Sequence, residues 1–194
     1  MGEPSDLQIA QPLTLKCGLT LPNRLVKAAM AEQMAGPNQL PDERMLTLYK
    51  HWAQGGWGLI ITGVGGQMIW GNDGPDGAQE EKSDRTRARE AFFLEFARLI
   101  RKEFPDVPLM VTGGFSSRGG MEKAVVDGDC DLIGLARPAV LNPSLPNNLV
   151  LNPEVKDQDA RVYRKKNKTP WFAKFIGLPI IGAGMDSIHA MAKA

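Results

Sequence analysis

The segment from Leu109 to Arg137 restricts the fold more than any other part of this chain. It runs Leu-Met-Val-Thr, Gly-Gly-Phe-Ser-Ser, a stretch of helical character, Asp-Leu-Ile-Gly-Leu, and then Ala-Arg-Pro. The pattern predicts a buried strand over Leu109–Thr112, a glycine turn at Gly113 and Gly114, and a helix opening at Ser116 or Ser117. A second strand follows over Asp131–Leu135. A strand, a helix and a strand joined by short turns form parallel strands through a right-handed crossover. Their carboxyl ends then release two loops side by side. Glycine in such a loop leaves backbone amides open to an anion, and Arg137 adds a guanidinium with a two-pronged grip on phosphate. The pair is a candidate phosphate cradle.

The rest of the chain repeats the alternation. Residues 7–22 predict an entry hairpin turning at Lys16–Gly18, and Leu25–Met30 is an apolar run of strand length. Residues 31–41 are loop by composition, and Asp42 is placed to cap a helix. Met45, Leu46, Leu48, Tyr49, Trp52 and Ala53 recur at helical spacing as one apolar face, which Gly55-Gly56 ends. Gly58–Thr62 is a short apolar strand of the parallel kind. Residues 63–83 form a glycine-rich linker without periodicity. A helix resumes at Ser83 or Asp84 and runs to about Phe104, with Phe92, Phe93, Phe96, Ala97, Leu99 and Ile100 as its expected buried face. Asn142-Pro143 predicts a further short helix, and a terminal helix is expected from about Asp186. The order specifies an α/β domain: a parallel sheet of four core strands with flanking helices, spanning residues 1–194 as one unit.

Charge narrows the partners. A formal net charge of +1 supplies no long-range attraction to nucleic acid or membrane. The basic run Arg161–Lys168 is short and balanced by acid elsewhere, so no nucleic-acid partner is expected. No apolar run approaches the roughly 18 residues of a membrane span. The first residues lack the basic and apolar regions of a signal peptide, so the cytoplasm is the expected compartment. Cys17 and Cys130 fit no metal or redox spacing and are expected to be reduced thiols in or near the core. Glu80-Glu81 is a solvated helix lead-in, not a catalytic carboxylate pair.

Four motifs carry a resemblance. Leu-Pro-Asn-Arg-Leu-Val-Lys-Ala-Ala-Met (21–30), Gly-Gly-Trp-Gly-Leu-Ile-Ile-Thr-Gly (55–63), Val-Thr-Gly-Gly-Phe (111–115) and Asp-Leu-Ile-Gly-Leu-Ala-Arg-Pro (131–138) closely resemble the old yellow enzyme family, in the family's order. These are FMN-dependent NAD(P)H:flavin oxidoreductases, or ene-reductases, built on a TIM barrel. The resemblance implies that Ala29, Met30 and Ala31 end the first barrel strand beneath the flavin ring. Gly113, Gly114 and Phe115 would follow the seventh strand; Gly134, Ala136 and Arg137 would close the eighth and hold the FMN phosphate. Thr62 and Gly63 would mark the end of the second.

The same resemblance implies a shortened form, a partial TIM barrel holding strands one, two, seven and eight. The linker 63–83 stands where the family has its central βα units, and a barrel of this type takes roughly 250 residues. The missing units normally supply a glutamine and an arginine to the flavin's pyrimidine edge. They also supply a His/His or His/Asn pair for the substrate carbonyl, and often a tyrosine proton donor. His51 and His189 do not match that pair, and no catalytic residue is assigned. Strands one, two, seven and eight are neighbours around a closed barrel, so they would form one sheet with two free edges and one open face. A two-fold dimer covering that face is expected. The functional expectation is a flavoprotein oxidoreductase with FMN and NAD(P)H, reducing activated alkenes. The alternatives are a cofactor-free isomerase, dehydratase or cyclase, and a non-catalytic product that binds a full-length relative.

Overall fold

The computed structural model describes residues 6–30, 43–63 and 84–162. Its order includes a 3-10 turn, Gln8–Ala10, followed by β1 (Leu13–Thr14), β2 (Thr20–Leu21) and β3 (Leu25–Lys27). Then come α1 (Glu43–Gln54), β4 (Leu59–Ile60), α2 (Asp84–Glu103), β5 (Met110–Thr112), α3 (Arg118–Val126), β6 (Leu132–Leu135) and α4 (Arg137–Leu141). A π-helical turn, Pro146–Val150, follows. Strands β1 and β2 form the expected hairpin, with Gly18 in the left-handed region at its turn.

The four core strands form one parallel sheet in the order β4-β3-β6-β5. Late strands therefore lie beside early ones: β6 pairs with β3 through Leu25↔Ile133, Val26↔Gly134 and Lys27↔Leu135. Local turns cannot impose such a neighbour. It follows from alternation of side chains between the two faces. Leu25 and Ile133 belong to the main core cluster with Leu48, Trp52, Met121 and Ala139, on the face that carries the helices. Val26 and Leu132 point the other way and cluster with Leu21, while Leu13 and Leu15 of the hairpin pack beside them. The hairpin thus covers part of the face that the sequence left open.

Several boundaries and faces differ from the sequence reading. The strands are shorter than their apolar runs, since pairing stops where the chain bends away to its loops. On α1, Leu48 and Trp52 are buried, but Leu46 and Ala53 are exposed. On α2, Ala97 faces the core and Ile100 is half-buried, whereas Phe96 and Leu99 are 55% and 61% exposed. Asn142 ends α4 rather than starting a helix, and Pro146 occupies the first turn of the next helical segment. Cys17 is exposed, so only Cys130 is the buried thiol expected. Asp42, most of the linker 63–83, the side chains of Phe92 and Phe93, and the terminal helix from Asp186 lie outside the described residues.

Two arginines anchor α2 at the amino end of the sheet. Arg98 meets Asp129 through both nitrogens, at 2.6 and 2.8 Å, and Arg101 pairs with Asp131. Asp131 also accepts from the Leu109 amide at 2.7 Å, fixing the entry of β5 against β6. Arg98 is largely solvated, so its pair orients the helix more than it stabilises the fold.

Candidate functional site

The sheet brings four chain segments to one end. Thr112 stands beside Gly134, Gly134 beside Val26, and Lys27 beside Ile60. The Ala28 amide donates to Leu135 at 2.9 Å and the Ile61 amide to Lys27 at 2.9 Å, which carries the alignment past the strands. Ala29 and Met30, Thr62 and Gly63, Gly113–Phe115, and Ala136 and Arg137 therefore all emerge at the carboxyl end of the sheet. In open α/β sheets this is the end at which ligands bind. Ala29 is exposed there, while Met30 is half-buried and packs on the helix-side core. Ala31 lies outside the described residues.

Gly113 and Gly114 have φ of 102° and 82°, so the chain turns sharply through two left-handed residues that a side chain would strain. Gly114 and Phe115 are buried. Among the described residues, the Gly114 amide makes no hydrogen bond to the protein. Gly134 serves a different need. A Cβ there would lie 2.2 Å from the Thr112 hydroxyl oxygen and 3.3 Å from the Met110 sulfur, so glycine lets β5 side chains cross over β6. Arg137 opens α4, directly after Ala136, and is half-buried. Among the described residues its guanidinium makes no ion pair or hydrogen bond. A half-buried cation without an acid, one strand from a buried amide without an acceptor, is an arrangement that an anion completes.

The loop after β5 is held rigidly. Ser117 accepts from the Gly120 amide at 3.3 Å and caps α3. Ser116 accepts from the Val162 amide at 2.8 Å, and the Arg118 amide donates to Ala160 at 3.0 Å. The Arg118 side chain, 3% exposed, donates to the carbonyls of Leu149, Val150, Asn152 and Val155 and to Asp157. Its cluster ties the first turn of α3 to the segment after the π-helical turn. Lys27 is likewise fully buried, its Nζ 3.3 Å from the Ile61 carbonyl and 4.1 Å from the centre of the Trp52 ring. Trp52 in turn donates to the Ala139 carbonyl at 2.7 Å, linking β3, α1 and α4. The sequence reading passed over both residues. The signal for Lys27 was a cation inside an apolar run. For Arg118 it was a cation in the first turn of a helix, where the dipole disfavours it.

A cleft of about 160 Å³ opens between α2 and α3, with Gly113, Phe115 and Gly120 on its wall. Its charged rim is already neutralised, Arg98 by Asp129 and Lys123 by Asp127, so it offers no free cation to an anion. The cradle at Gly114 and Arg137 is the better candidate.

No family model matches the chain. Similar proteins include the NADH-dependent flavin oxidoreductase iliE of Hypocrea jecorina, 46% identical over 101 residues, which are 52% of this chain and 25% of that protein. The NADH-dependent flavin oxidoreductase iccE of Talaromyces variabilis is 50% identical over 100 residues, 51% of this chain and 24% of that protein. The iliE protein of a Neonectria species is 48% identical over 107 residues, 52% of this chain and 14% of that protein. The chain therefore spans a quarter or less of the length of these curated relatives, and half of it resembles proteins named NADH-dependent flavin oxidoreductases.

Proposed function

We propose that this chain is an FMN-binding, old-yellow-enzyme-type portion of an NADH-dependent flavin oxidoreductase, with its four core strands corresponding to strands one, two, seven and eight of a TIM barrel. The observation that carries the reading is that, among the described residues, the buried Gly114 after β5 has an amide without an acceptor while Arg137, at the start of α4 after the neighbouring β6, has no ion pair or hydrogen bond. The sheet order β4-β3-β6-β5 supports it, as do the printed names of the relatives. Gly113, Gly114, Ala136 and Arg137 would hold the phosphate, and Ala29 and Met30 would lie toward the ring. Bound FMN supplies hydride transfer from NADH to an activated alkene; the protein supplies binding and orientation. Among the described residues, the sole histidine is His51, exposed on α1. Alkene reduction on this reading draws on groups beyond them, and the chain by itself binds FMN without turnover. The free thiols Cys17 and Cys130 fit a reducing compartment, the cytoplasm.

The test is titration of the purified chain with FMN, followed by flavin fluorescence and thermal shift, with inorganic phosphate as competitor. The expected result is saturable binding that phosphate weakens and that Arg137→Ala reduces about tenfold or more, the loss of one charge-assisted contact. Absence of binding, or equal binding by Arg137→Ala, overturns the assignment.

A further inference from the structure

The two arms of the cradle come from different loops, and one buried side chain joins them. Gly113 and Gly114 lie in the loop that leads from β5 to the cap of α3, and Arg118 is the first residue of that helix. Arg137 opens α4, and from there the chain is hydrogen-bonded stepwise to Leu151. The amides of Asn142, Leu145, Asn148 and Leu151 donate to the carbonyls of Pro138, Asn142, Ser144 and Pro146, at 2.8 to 3.0 Å. Ala139, Val140, Leu145, Pro146 and Val150 are buried along it, so α4 and the π-helical turn form one continuous piece. The Arg118 guanidinium reaches the far end of that piece. Nε donates to Val150 at 2.7 Å, and Nη2 donates to Leu149 at 2.6 Å and Asn152 at 2.8 Å. Nη1 donates to Val155 at 2.7 Å and to Asp157 at 3.0 Å. A guanidinium carries five N–H groups, and five acceptors among the described residues meet this one. None is left for a ligand, so Arg118 can act on a bound anion only through the loops it holds.

We propose that Arg118 is a positioning residue for anion binding: it sets the separation between the Gly114 amide and the Arg137 guanidinium. The inference rests on the phosphate reading of the cradle. An anion held by groups on two loops gains from both only if their separation matches it to within about 0.5 Å. The strands fix that separation at one level, where Thr112 stands beside Gly134. Past the strand ends, the Arg118 fork joins the same two loops a second time. The backbone adds to this joint: the Arg118 amide donates to Ala160 at 3.0 Å, and Ser116 accepts from Val162 at 2.8 Å. A lysine keeps the charge, but three donors on one nitrogen cannot face five acceptors arranged around a planar fork. The loops then drift relative to each other, and the anion keeps one partner at the expense of the other.

The test is a double-mutant cycle on FMN affinity, read by flavin fluorescence on the full chain in the cold, with circular dichroism to establish that each variant is folded. Arg118→Lys is expected to raise the dissociation constant about tenfold, although the lysine touches no ligand. On top of Arg137→Ala it should weaken binding less than about threefold further, because the separation it sets no longer matters. Leu25→Ala is the control: Leu25 is fully buried at the opposite end of the sheet, so its truncation lowers stability and should leave FMN affinity at the parental value. Val162→Pro deletes the amide that donates to Ser116, loosens the same loop and leaves the buried guanidinium in place. It should show the same dependence on Arg137, and it carries the test if Arg118→Lys does not fold. Parental affinity in the folded Arg118→Lys or Val162→Pro chain overturns the proposal. So does a full loss that persists without Arg137, or an equal loss in Leu25→Ala. A parent chain that does not bind FMN overturns the flavin reading itself, and this inference with it.

Discussion

Arg118 holds more of the site in place than any residue that would touch a ligand, and its replacement gives the sharpest test of the structure. Its guanidinium donates to four carbonyls at 2.6 to 2.8 Å and to Asp157 at 3.0 Å, from a position 3% exposed. Asp157 is 67% exposed, so that partner returns to water at little cost when the arginine is removed. The carbonyls are different, because a buried acceptor left without a donor costs about 1–3 kcal/mol. Arg118→Met fills most of the volume and satisfies none of them, for an expected loss of about 3–5 kcal/mol. Arg118→Lys keeps the charge but brings three donors on a flexible stem to a fork-shaped set of acceptors, for an expected loss of about 2–4 kcal/mol. Domain stabilities are about 5–15 kcal/mol, so either change removes a large share. In urea, with a slope of about 2 kcal/mol per molar, the Arg118→Met midpoint should fall by about 1.5–2.5 M. Unfolding followed by tryptophan fluorescence and circular dichroism reads this directly. A midpoint within about 0.3 M of the parent for Arg118→Met, a shift worth under 1 kcal/mol on that slope, would refute the reasoning.

Gly134→Ala should destabilise the fold by about 1–3 kcal/mol, because its Cβ would lie 2.2 Å from the Thr112 hydroxyl oxygen. Adding Thr112→Ala removes that oxygen and should recover part of the loss in thermal unfolding; additive losses would show that the clash is elsewhere. Burial, reinforced by Asp131 and Asp129, pushes the Cys130 thiol from 9.0 up to about 12. The folded chain therefore keeps a proton that the unfolded chain releases, and the contribution is constant below pH 9 and declines as pH rises toward 12. Cys130→Ala should flatten the alkaline fall in urea midpoint; an unchanged slope would assign the fall to other groups. In the native protein at pH 8, an aromatic disulfide reagent should modify the exposed Cys17 quickly and Cys130 only on unfolding, and two fast thiols would contradict the burial.

Much of the site was legible because glycine and proline carry backbone geometry in their identity. Gly113 and Gly114 announced a turn that ordinary residues resist, and Ser116 or Ser117 announced a helix start; the turn is there, and Ser117 is the serine that caps. The alternation of strands and helices likewise required a parallel sheet. The faces of α2 were less legible. Helical spacing places Phe96 and Leu99 among the apolar residues expected to be buried, yet both are more than half exposed. Periodicity reports where a residue lies on its own helix, and burial depends on what stands opposite.

The sequence by itself determined most of the units: the four core strands, the helices between them, the glycine turn after β5, and that Arg137 stands just past a strand. Only the tertiary structure decided which strands became neighbours, that Arg118 would satisfy carbonyls more than thirty residues away, and that Arg137 would have no acid beside it among the described residues. The first set depends on local dihedral preference and spacing. The second depends on contacts between distant segments, whose free energy exists only once the whole sheet has assembled.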